Sequence, residues 1–322
     1  MTLKIKTKFK LILGLGNKDI KSAPETALLY ANAGVRFFDA SPEVLPEISK
    51  VLLKAGYNPD DFILCASVPS LGDIHGRKAN ISPVVCSGCM LCSGNCPEGA
   101  ILKDKKTNKS SVDVKKCIGC GICKKVTNCY AISFEYGNYE LKCLEELVQS
   151  GFKLDMTEFH ASISNKKQIV KDFKDILSVF NGDISVCINK KQFPINEAVE
   201  LLSELRRLHK LENSGAEFYV QADGASMNGG ADDENSTLDC ILFARELAPY
   251  GFNLIISGGT NINTPKMLDE AGIDSLSDII IAYGTYARKI VSNVQKDVAL
   301  LRAQELYDIT EGIKARQTAV IC

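Results

Sequence analysis

The sequence predicts an α/β protein in which a barrel of parallel strands carries a cysteine-rich insert. Two observations lead to this prediction. Eight short apolar segments, bounded by Gly, Asn or Asp, alternate with amphipathic stretches of helical spacing, which is the pattern of βα units around a parallel sheet. Between the third and fourth segments, about 70 residues break this alternation and hold two runs of cysteines.

The predicted strands follow one another at the spacing of βα units. They are "KLILGLG" (10–16), "VRFFDAS" (35–41), "DFILCASV" (61–68), "FKLDMTEF" (152–159), "DISVCIN" (183–189), "EFYVQAD" (217–223), "FNLIISG" (252–258) and "DIIIAYG" (278–284). Setting the interruption aside leaves about 250 residues, the usual size of a (β/α)8 TIM-like barrel. A doubly wound open sheet is the alternative, because a strand count from one sequence can err by one or two.

Composition narrows the classes of function. The 322 residues include 13 cysteines, an odd number, and the N-terminal stretch lacks the pattern of a signal peptide. Metal ligation therefore explains the cysteines better than a disulfide framework does. A formal net charge of -1 and the absence of a long apolar run give no indication of nucleic-acid or membrane binding. We expect a cytoplasmic protein.

The first cysteine run, "PVVCSGCMLCSGNCPEGAI" (83–101), has the spacing CxxCxxCxxxCP. Bacterial-type ferredoxins use this spacing for [4Fe-4S] clusters, with three thiolates on one tight loop and the fourth reaching the neighbouring cluster. Structural zinc prefers two CxxC pairs and is the weaker alternative. A radical-SAM site would need CxxxCxxC, which is absent from the sequence.

The second run, "KCIGCGICKKVTNCYAISF" (116–134), repeats the first three cysteines but delays the fourth by two residues. Tyr130 stands where the first run has proline. We expect the longer connection to change the surroundings of one cluster without removing a ligand. The spacing predicts two [4Fe-4S] clusters, one held by Cys86, Cys89, Cys92 and Cys129 and the other by Cys117, Cys120, Cys123 and Cys96.

These runs define the predicted domain boundaries. Residues 1–70 form the first part of the barrel, 71–140 a ferredoxin-like two-cluster insert after strand 3, and 141–322 the remainder of the barrel. Six lysines lie between the runs, in residues 103–116. They either steer an acidic redox partner protein toward the clusters or belong to a solvated hairpin.

The loops after the last two strands are where such barrels bind phosphate, because glycine lets ligand oxygens approach backbone N–H groups. These loops contain Gly258, Gly259, Gly284 and Thr285. We predict a small phosphate-bearing ligand or a flavin (FMN) there, the alternative being that the glycines serve tight βα turns.

Other polar residues follow predicted strands at the same end of the barrel. Each is a candidate general acid, base or ligand, although no pair has a diagnostic spacing, and the catalytic residues stay unknown: Asp39, Glu158, His160, Asn189, Lys190 and Asp223. The glycine-rich segment 222–235 suits a lid or ligand clamp. His209 is expected on a helix surface.

Four stretches resemble the light-dependent period protein family (LdpA-like): "DIHGRKAN", "QADGASMNGG", "SGGTNINTPKML" and "IAYGTYARKIV". The resemblance begins near residue 60 and covers most of the chain after it. It implies ferredoxin-type clusters, ligated by the eight cysteines, joined to a barrel-like C-terminal domain. It also implies a protein that senses or relays cellular redox state, an input to a circadian clock in the family.

Three functions remain open at this point. The first is an iron-sulfur protein acting in electron transfer or redox sensing, with the barrel as a docking platform. The second is an oxidoreductase whose barrel holds FMN or a phosphate-bearing ligand and receives electrons from the clusters. The third is a scaffold in which the clusters serve folding alone.

Overall fold

Eight parallel strands of the computed structural model close on themselves into a barrel. The structure describes residues 7–14, 22–114, 116–117, 119–224, 234–272 and 279–312. The strands are β1 (Phe9–Ile12), β2 (Phe37–Ala40), β3 (Ile63–Pro69), β4 (Arg77–Ile81), β5 (Ile101–Lys103), β6 (Ser110–Val112), β7 (Ile132–Tyr136), β8 (Met156–His160), β9 (Asp183–Asn189), β10 (Phe218–Asp223), β11 (Asn253–Ser257) and β12 (Ile280–Tyr283).

Helices connect the barrel strands and shorter helices lie in the insert. They are α1 (Ala23–Ala33), α2 (Leu45–Lys54), α3 (Leu91–Gly94), α4 (Ile122–Thr127), α5 (Tyr139–Gln149), α6 (Lys166–Val179), α7 (Ile195–Glu212), α8 (Glu234–Leu247), α9 (Thr264–Glu270), α10 (Thr285–Val291) and α11 (Lys296–Glu311).

The barrel order is β1-β12-β11-β10-β9-β8-β3-β2. All eight predicted strands are present, and closure of the sheet confirms the (β/α)8 barrel over the open sheet. β3 and β8 are direct neighbours, with Cys65 opposite Met156 and Pro69 opposite His160. The cysteine-rich segment thus leaves after the third barrel strand, as predicted, and the chain returns beside that strand.

The barrel strands have one apolar face and one face of mixed character. In β9, Ile184, Val186 and Ile188 join the main apolar core beneath the helices. Because side chains alternate along a strand, Ser185 and Cys187 point the other way, into the barrel. The interior is therefore apolar in one layer, around Phe37, Met156 and Ile255, and polar in the layers nearer the C-terminal strand ends.

The burial of His209 follows from its position along the helix and not from its residue type. The histidine was expected at the helix surface, and this prediction is wrong, because its side chain is fully buried. It lies four residues after Leu205 and seven after Leu202, on the buried face of α7. Its Nε2–H donates to the Gly182 carbonyl oxygen at 2.8 Å, and burial lowers the pKa of the imidazole.

Candidate functional site

The two cysteine loops of the insert share one backbone conformation. Gly88 and Met90 flank Cys89 in the first loop, with φ of 77° and 63°. Gly119 and Gly121 flank Cys120 in the second, with φ of 63° and 79°. Left-handed residues on both sides turn the chain tightly around the middle cysteine of each run. The repeat in sequence is therefore a repeat in three dimensions.

The first glycine of each loop also meets neighbouring backbone. A Cβ atom on Gly88 would lie 2.4 Å from the carbonyl oxygen of Asn108, and one on Gly119 would lie 2.2 Å from that of Arg77. Any larger residue at either position would push the cysteine loop away from the strand or turn beneath it. Glycine is thus required for packing as well as for the backbone angle.

The two extra residues before the fourth cysteine of the second run belong to a longer helix. α3 has four residues and α4 has six, and each begins two residues after the middle cysteine of its run. In both runs an Asn follows the helix and the fourth cysteine follows the Asn, at Cys96 and Cys129. The two extra residues therefore change the helix length and leave the position of the cysteine after the helix unchanged.

An apolar cavity brings cysteines of both runs together. Cys96 of the first run lines it with Cys117, Cys120 and Cys123 of the second. The remaining wall is mostly apolar and comes from Ala79, Pro97, Ala100, Ile101 and Phe134, with Glu98, Gly119 and Gly121. Cys86, Cys92 and Cys129 pack against the same small core, whereas Cys89 and Cys120 are exposed.

Backbone N–H groups point at the cysteine sulfur atoms. The N–H of Ala79 donates to Cys117 Sγ and that of Ala100 to Cys96 Sγ, both at 3.3 Å. The N–H of Ser110 donates to Cys86 Sγ at 3.4 Å, which lowers the pKa of this thiol. Such donors stabilise thiolate, the form in which cysteine binds metals.

A lysine lies fully buried inside the barrel. Lys10 Nζ is 2.5 Å from Asp39 Oδ2 and 2.5 Å from Glu158 Oε2, and it donates to Gln221 Oε1 at 2.8 Å. The ammonium group donates hydrogen bonds to Glu158 and Gln221 and forms an ion pair with Asp39. Burial opposes the charge, yet the carboxylates of Asp39 and Glu158 raise the pKa of Lys10 above its usual range. The two carboxylates thus favour the charged form of Lys10.

The two carboxyl groups beside Lys10 differ in the direction of their pKa shifts. Burial and the neighbouring Glu158 raise the pKa of Asp39 to about 7. Lys10 lowers the pKa of Glu158 in spite of its burial. Ser67 Oγ donates to Asp39 Oδ1. Two carboxyl groups with separated pKa values, one near neutrality, form an arrangement capable of proton transfer.

A second polar layer lies at the C-terminal ends of the barrel strands. His160 Nδ1 lies 2.7 Å from Asp73 Oδ2, and His75 Nδ1 lies 2.9 Å from Asp73 Oδ1. Burial opposes the imidazolium, but Asp73 raises the pKa of His160 well above its usual value. Burial raises the pKa of Asp223, in the same layer, to about 6. Asp73 and His75 come from the connection between β3 and β4.

The glycine-rich loops predicted to bind phosphate are closely packed. Gly258 has a φ of 79°, and a Cβ atom there would lie 2.0 Å from Asp223 Oδ1. The carbonyl oxygen of Gly259 accepts from Thr237 Oγ1 at 2.7 Å. Gly284 precedes α10, in which Thr285 Oγ1 accepts from Arg288 Nη2 at 3.4 Å. Close packing therefore accounts for the glycine at position 258. Ligand binding by Gly258, Gly259, Gly284 and Thr285 stays a prediction.

The structure separates the other predicted polar residues into two groups. Asp39, Glu158, His160 and Asp223 meet inside the barrel. Lys190 pairs instead with Glu246. Asn189 orders its own loop, its Oδ1 accepting from the Lys191 N–H at 2.9 Å. Most of the predicted lid, residues 225–233, lies outside the described residues.

Sequence reasoning missed Lys10, Gln221, Asp73 and His75. The signal for Lys10 was present, because it is the one charged residue of the first predicted strand. A lysine within a strand that is buried on both faces must find acceptors. Asp73 and His75 lie in "DIHGRKAN", one of the stretches that carry the family resemblance, but their loop position before the cysteine runs indicated no role for them.

Comparison with protein families accounts for most of the chain. A model of the light dependent period A C-terminal domain matches residues 147–319, more than half of the sequence. The chain belongs to the light-dependent period A family. In this family member a second model, a 4Fe-4S dicluster domain, matches residues 78–132. The protein is thus an iron-sulfur protein with a ferredoxin-like domain after the third barrel strand.

Comparisons with individual proteins add little to the family assignment. No curated protein matches this light-dependent period A family member significantly. A 3-hexulose-6-phosphate synthase is 13% identical, with a TM-score of 0.44 over 94% of this chain and 99% of that one. A putative deoxyribose-phosphate aldolase from Toxoplasma gondii ME49 is 11% identical, with a TM-score of 0.41 over 94% and 92%. Neither likeness is close enough to support an argument about function.

Among the described residues, no helix has both the length and the apolar character needed to cross a membrane.

Proposed function

We propose that the insert holds two [4Fe-4S] clusters and that the protein acts in electron transfer or redox sensing. The observation that carries this proposal is the shared cavity, in which Cys96 of the first run joins Cys117, Cys120 and Cys123 of the second. Exchange of the fourth ligand between runs is the arrangement of two-cluster bacterial ferredoxins. It leaves Cys86, Cys89, Cys92 and Cys129 for the other cluster.

The donor set fits iron-sulfur clusters. Eight cysteines divide into two groups of four, and backbone N–H groups donate to Sγ atoms in both groups. Apolar side chains line the cavity of the second group. Hydrogen bonds to sulfur and exclusion of solvent are the means by which a protein sets cluster potential. The longer α4 would give one of the two proposed clusters different surroundings, so we expect two distinct potentials.

A lysine-rich hairpin contacts the loop of the first cysteine run, and its charge supports the proposal of a redox partner protein. β5 and β6 pair as an antiparallel hairpin, and the N–H of Ser110 in β6 donates to Cys86 Sγ at 3.4 Å. Lys105 and Lys106, at its turn, are exposed. We expect an acidic partner to dock here. Exchanging both lysines for glutamate should then slow electron transfer with a small acidic carrier protein, most strongly at low salt.

An oxidoreductase with FMN or a phosphate-bearing ligand at Gly258, Gly259, Gly284 and Thr285 is the second proposed function. The observation favouring it is the polar barrel interior, where Asp39 and Asp223 have pKa values raised to about 7 and about 6. Carboxyl groups that titrate near neutrality are typical of catalytic sites. The cytoplasmic location remains a prediction.

One measurement separates these functions. The protein is purified without oxygen, and iron, acid-labile sulfide and flavin are quantified on the same sample. About eight irons and eight sulfides without flavin would support electron transfer or sensing. The same iron with stoichiometric flavin would make the protein a cluster-fed oxidoreductase. Zinc without sulfide would contradict both.

A further inference from the structure

Three ligand-type side chains meet where the insert leaves the barrel. Asp73 and His75 lie in the connection after β3, and His160 is the last residue of β8. The carboxylate of Asp73 faces both imidazoles, at 2.9 Å from His75 Nδ1 and 2.7 Å from His160 Nδ1. One ligand atom from each residue lies within 4.8 Å of the other two. We call these three residues the junction cluster.

The spacing of the junction cluster is close to that of a metal site. Zinc binds histidine nitrogen and carboxylate oxygen at about 2.0–2.1 Å in tetrahedral geometry, which separates neighbouring ligand atoms by about 3.3 Å. The two separations from Asp73 need to widen by about half an ångström to reach this value. The centroids of the two imidazole rings are 4.9 Å apart and the rings are nearly perpendicular, at 81°.

The charges around the junction cluster favour a cation. Asp73 and Asp223 lie in the same polar layer, with the Asp39 and Glu158 carboxyl groups one layer below. Lys10 pairs with Asp39 and Glu158, and the two histidines face Asp73. When histidine loses its proton to bind a metal, the dication replaces the charge that the imidazolium had supplied.

The surroundings orient the ligands and leave one side accessible. The N–H of Ser162 donates to Asp73 Oδ2 at 3.3 Å and fixes the carboxylate. The Asp73 side chain is fully buried and that of His160 is 11% exposed, whereas that of His75 is 22% exposed. Three protein ligands with one open side are typical of a metal that keeps a water or binds a substrate.

We propose that Asp73, His75 and His160 bind one divalent transition-metal ion, such as Zn²⁺, separate from the iron-sulfur clusters. The ion would tie β8 of the barrel to the segment that enters β4. That strand carries Ala79, whose N–H donates to Cys117 Sγ at 3.3 Å. The proposed ion therefore joins the barrel mouth to one of the cysteine loops.

The first test measures zinc binding by the cluster-loaded full chain, without oxygen. Equilibrium dialysis against Zn²⁺ should give about one zinc per chain, with iron counted in the same sample. His75→Asn should weaken zinc binding at least about tenfold, because it removes a ligand at a partly exposed position. Asp172→Asn is the matched control, since this nearby carboxylate accepts from Ser70 Oγ and the Leu71 N–H but lies outside the junction cluster.

A second measurement on the unmodified protein keeps the proposal testable if a variant fails to fold. Zinc-edge X-ray absorption should show only nitrogen and oxygen neighbours at about 2.0–2.1 Å, because no cysteine belongs to the junction cluster. A sulfur shell near 2.3 Å would place the zinc on cysteines and overturn the proposal. Equal zinc affinity in His75→Asn and Asp172→Asn, or no zinc bound by the wild type, would also overturn it.

Discussion

Replacing Lys10 by methionine tests whether the barrel interior depends on charge neutralisation. Methionine has a similar length but no ammonium group. In the wild type, Lys10 Nζ is fully buried and lies 2.5 Å from carboxylate oxygens of both Asp39 and Glu158. Removing one member of a buried ion pair costs about 3–5 kcal/mol, because the remaining charge is left without a partner. That is a large part of the about 5–15 kcal/mol by which a domain is stable.

Two controls separate this effect from the loss of any lysine. Lys50→Met removes a pair with Glu47 whose side chains are 71% and 60% exposed, so it should cost less than about 1 kcal/mol. Combining Lys10→Met with Asp39→Asn and Glu158→Gln removes the unpaired carboxylates as well. This triple variant should recover most of the lost stability.

The assay is urea unfolding without oxygen, followed by far-ultraviolet circular dichroism and by cluster absorbance. Two signals are needed because a protein with clusters and an insert need not unfold in one step. Without Lys10, the folded-state pKa of Asp39, already raised to about 7, rises further, and that of Glu158 rises above its unfolded value. Their contribution to stability is then present at low pH and lost as pH rises, so the deficit should be larger at about pH 8 than at about pH 5. A Lys10→Met protein as stable as Lys50→Met at both pH values would refute the reasoning.

Three further predictions concern the cysteine ligands, a barrel turn and a buried acid. Cys129→Ala should lower the iron content by about one to four atoms per chain, because it removes a predicted cluster ligand. Tyr130→Ala is the control and should leave the iron content unchanged, since its side chain is 92% exposed. Equal iron in the two variants would show that Cys129 is not a ligand. Gly258→Ala should cost well above the about 1–2 kcal/mol of its left-handed backbone, since its Cβ would also lie 2.0 Å from Asp223 Oδ1 and 2.4 Å from the backbone N of Gly224. Gly251→Ala, with a left-handed backbone and open space around it, should cost only that amount, and thermal melting compares the two variants. Burial raises the pKa of Asp223 from 3.8 to about 6, so the wild type loses stability as pH rises through about 6. Asp223→Asn should therefore gain about 1.4 kcal/mol relative to the wild type between about pH 5 and pH 8, and a pH-independent difference in urea unfolding would contradict this.

The sequence carried enough information to predict the barrel and the position of its insert. Each barrel strand is a short apolar run that ends in turn residues, so the eight strands stand out from the helices between them. The cysteine spacings predicted that Cys96 groups with Cys117, Cys120 and Cys123, and these four line one cavity, whereas their role as ligands stays a prediction. Both the apolar strand segments and the cysteine spacings are patterns within a few neighbouring residues, so they can be recognised from the sequence alone.

The polar barrel interior was less accessible to prediction because its contacts join distant parts of the chain. Lys10 meets Glu158, which is 148 positions away, and His160 meets Asp73 across the whole insert. Strand alternation shows that a side chain points inward but not which side chain it meets there. The two-residue delay before Cys129 had the same ambiguity, since the sequence alone does not show whether a helix or a loop absorbs it.

The contacts of Lys10 indicate which layer of the barrel interior a bound ligand would contact. Its ammonium group donates to Glu158 and Gln221 and forms an ion pair with Asp39, and the carboxylates raise its pKa. A charged amine cannot act as a nucleophile, because attack requires a free electron pair on nitrogen. The lysine therefore holds the carboxyl groups in place. A molecule entering at the C-terminal strand ends would instead contact His160 and Asp223, beside the segment that leads into the cysteine loops.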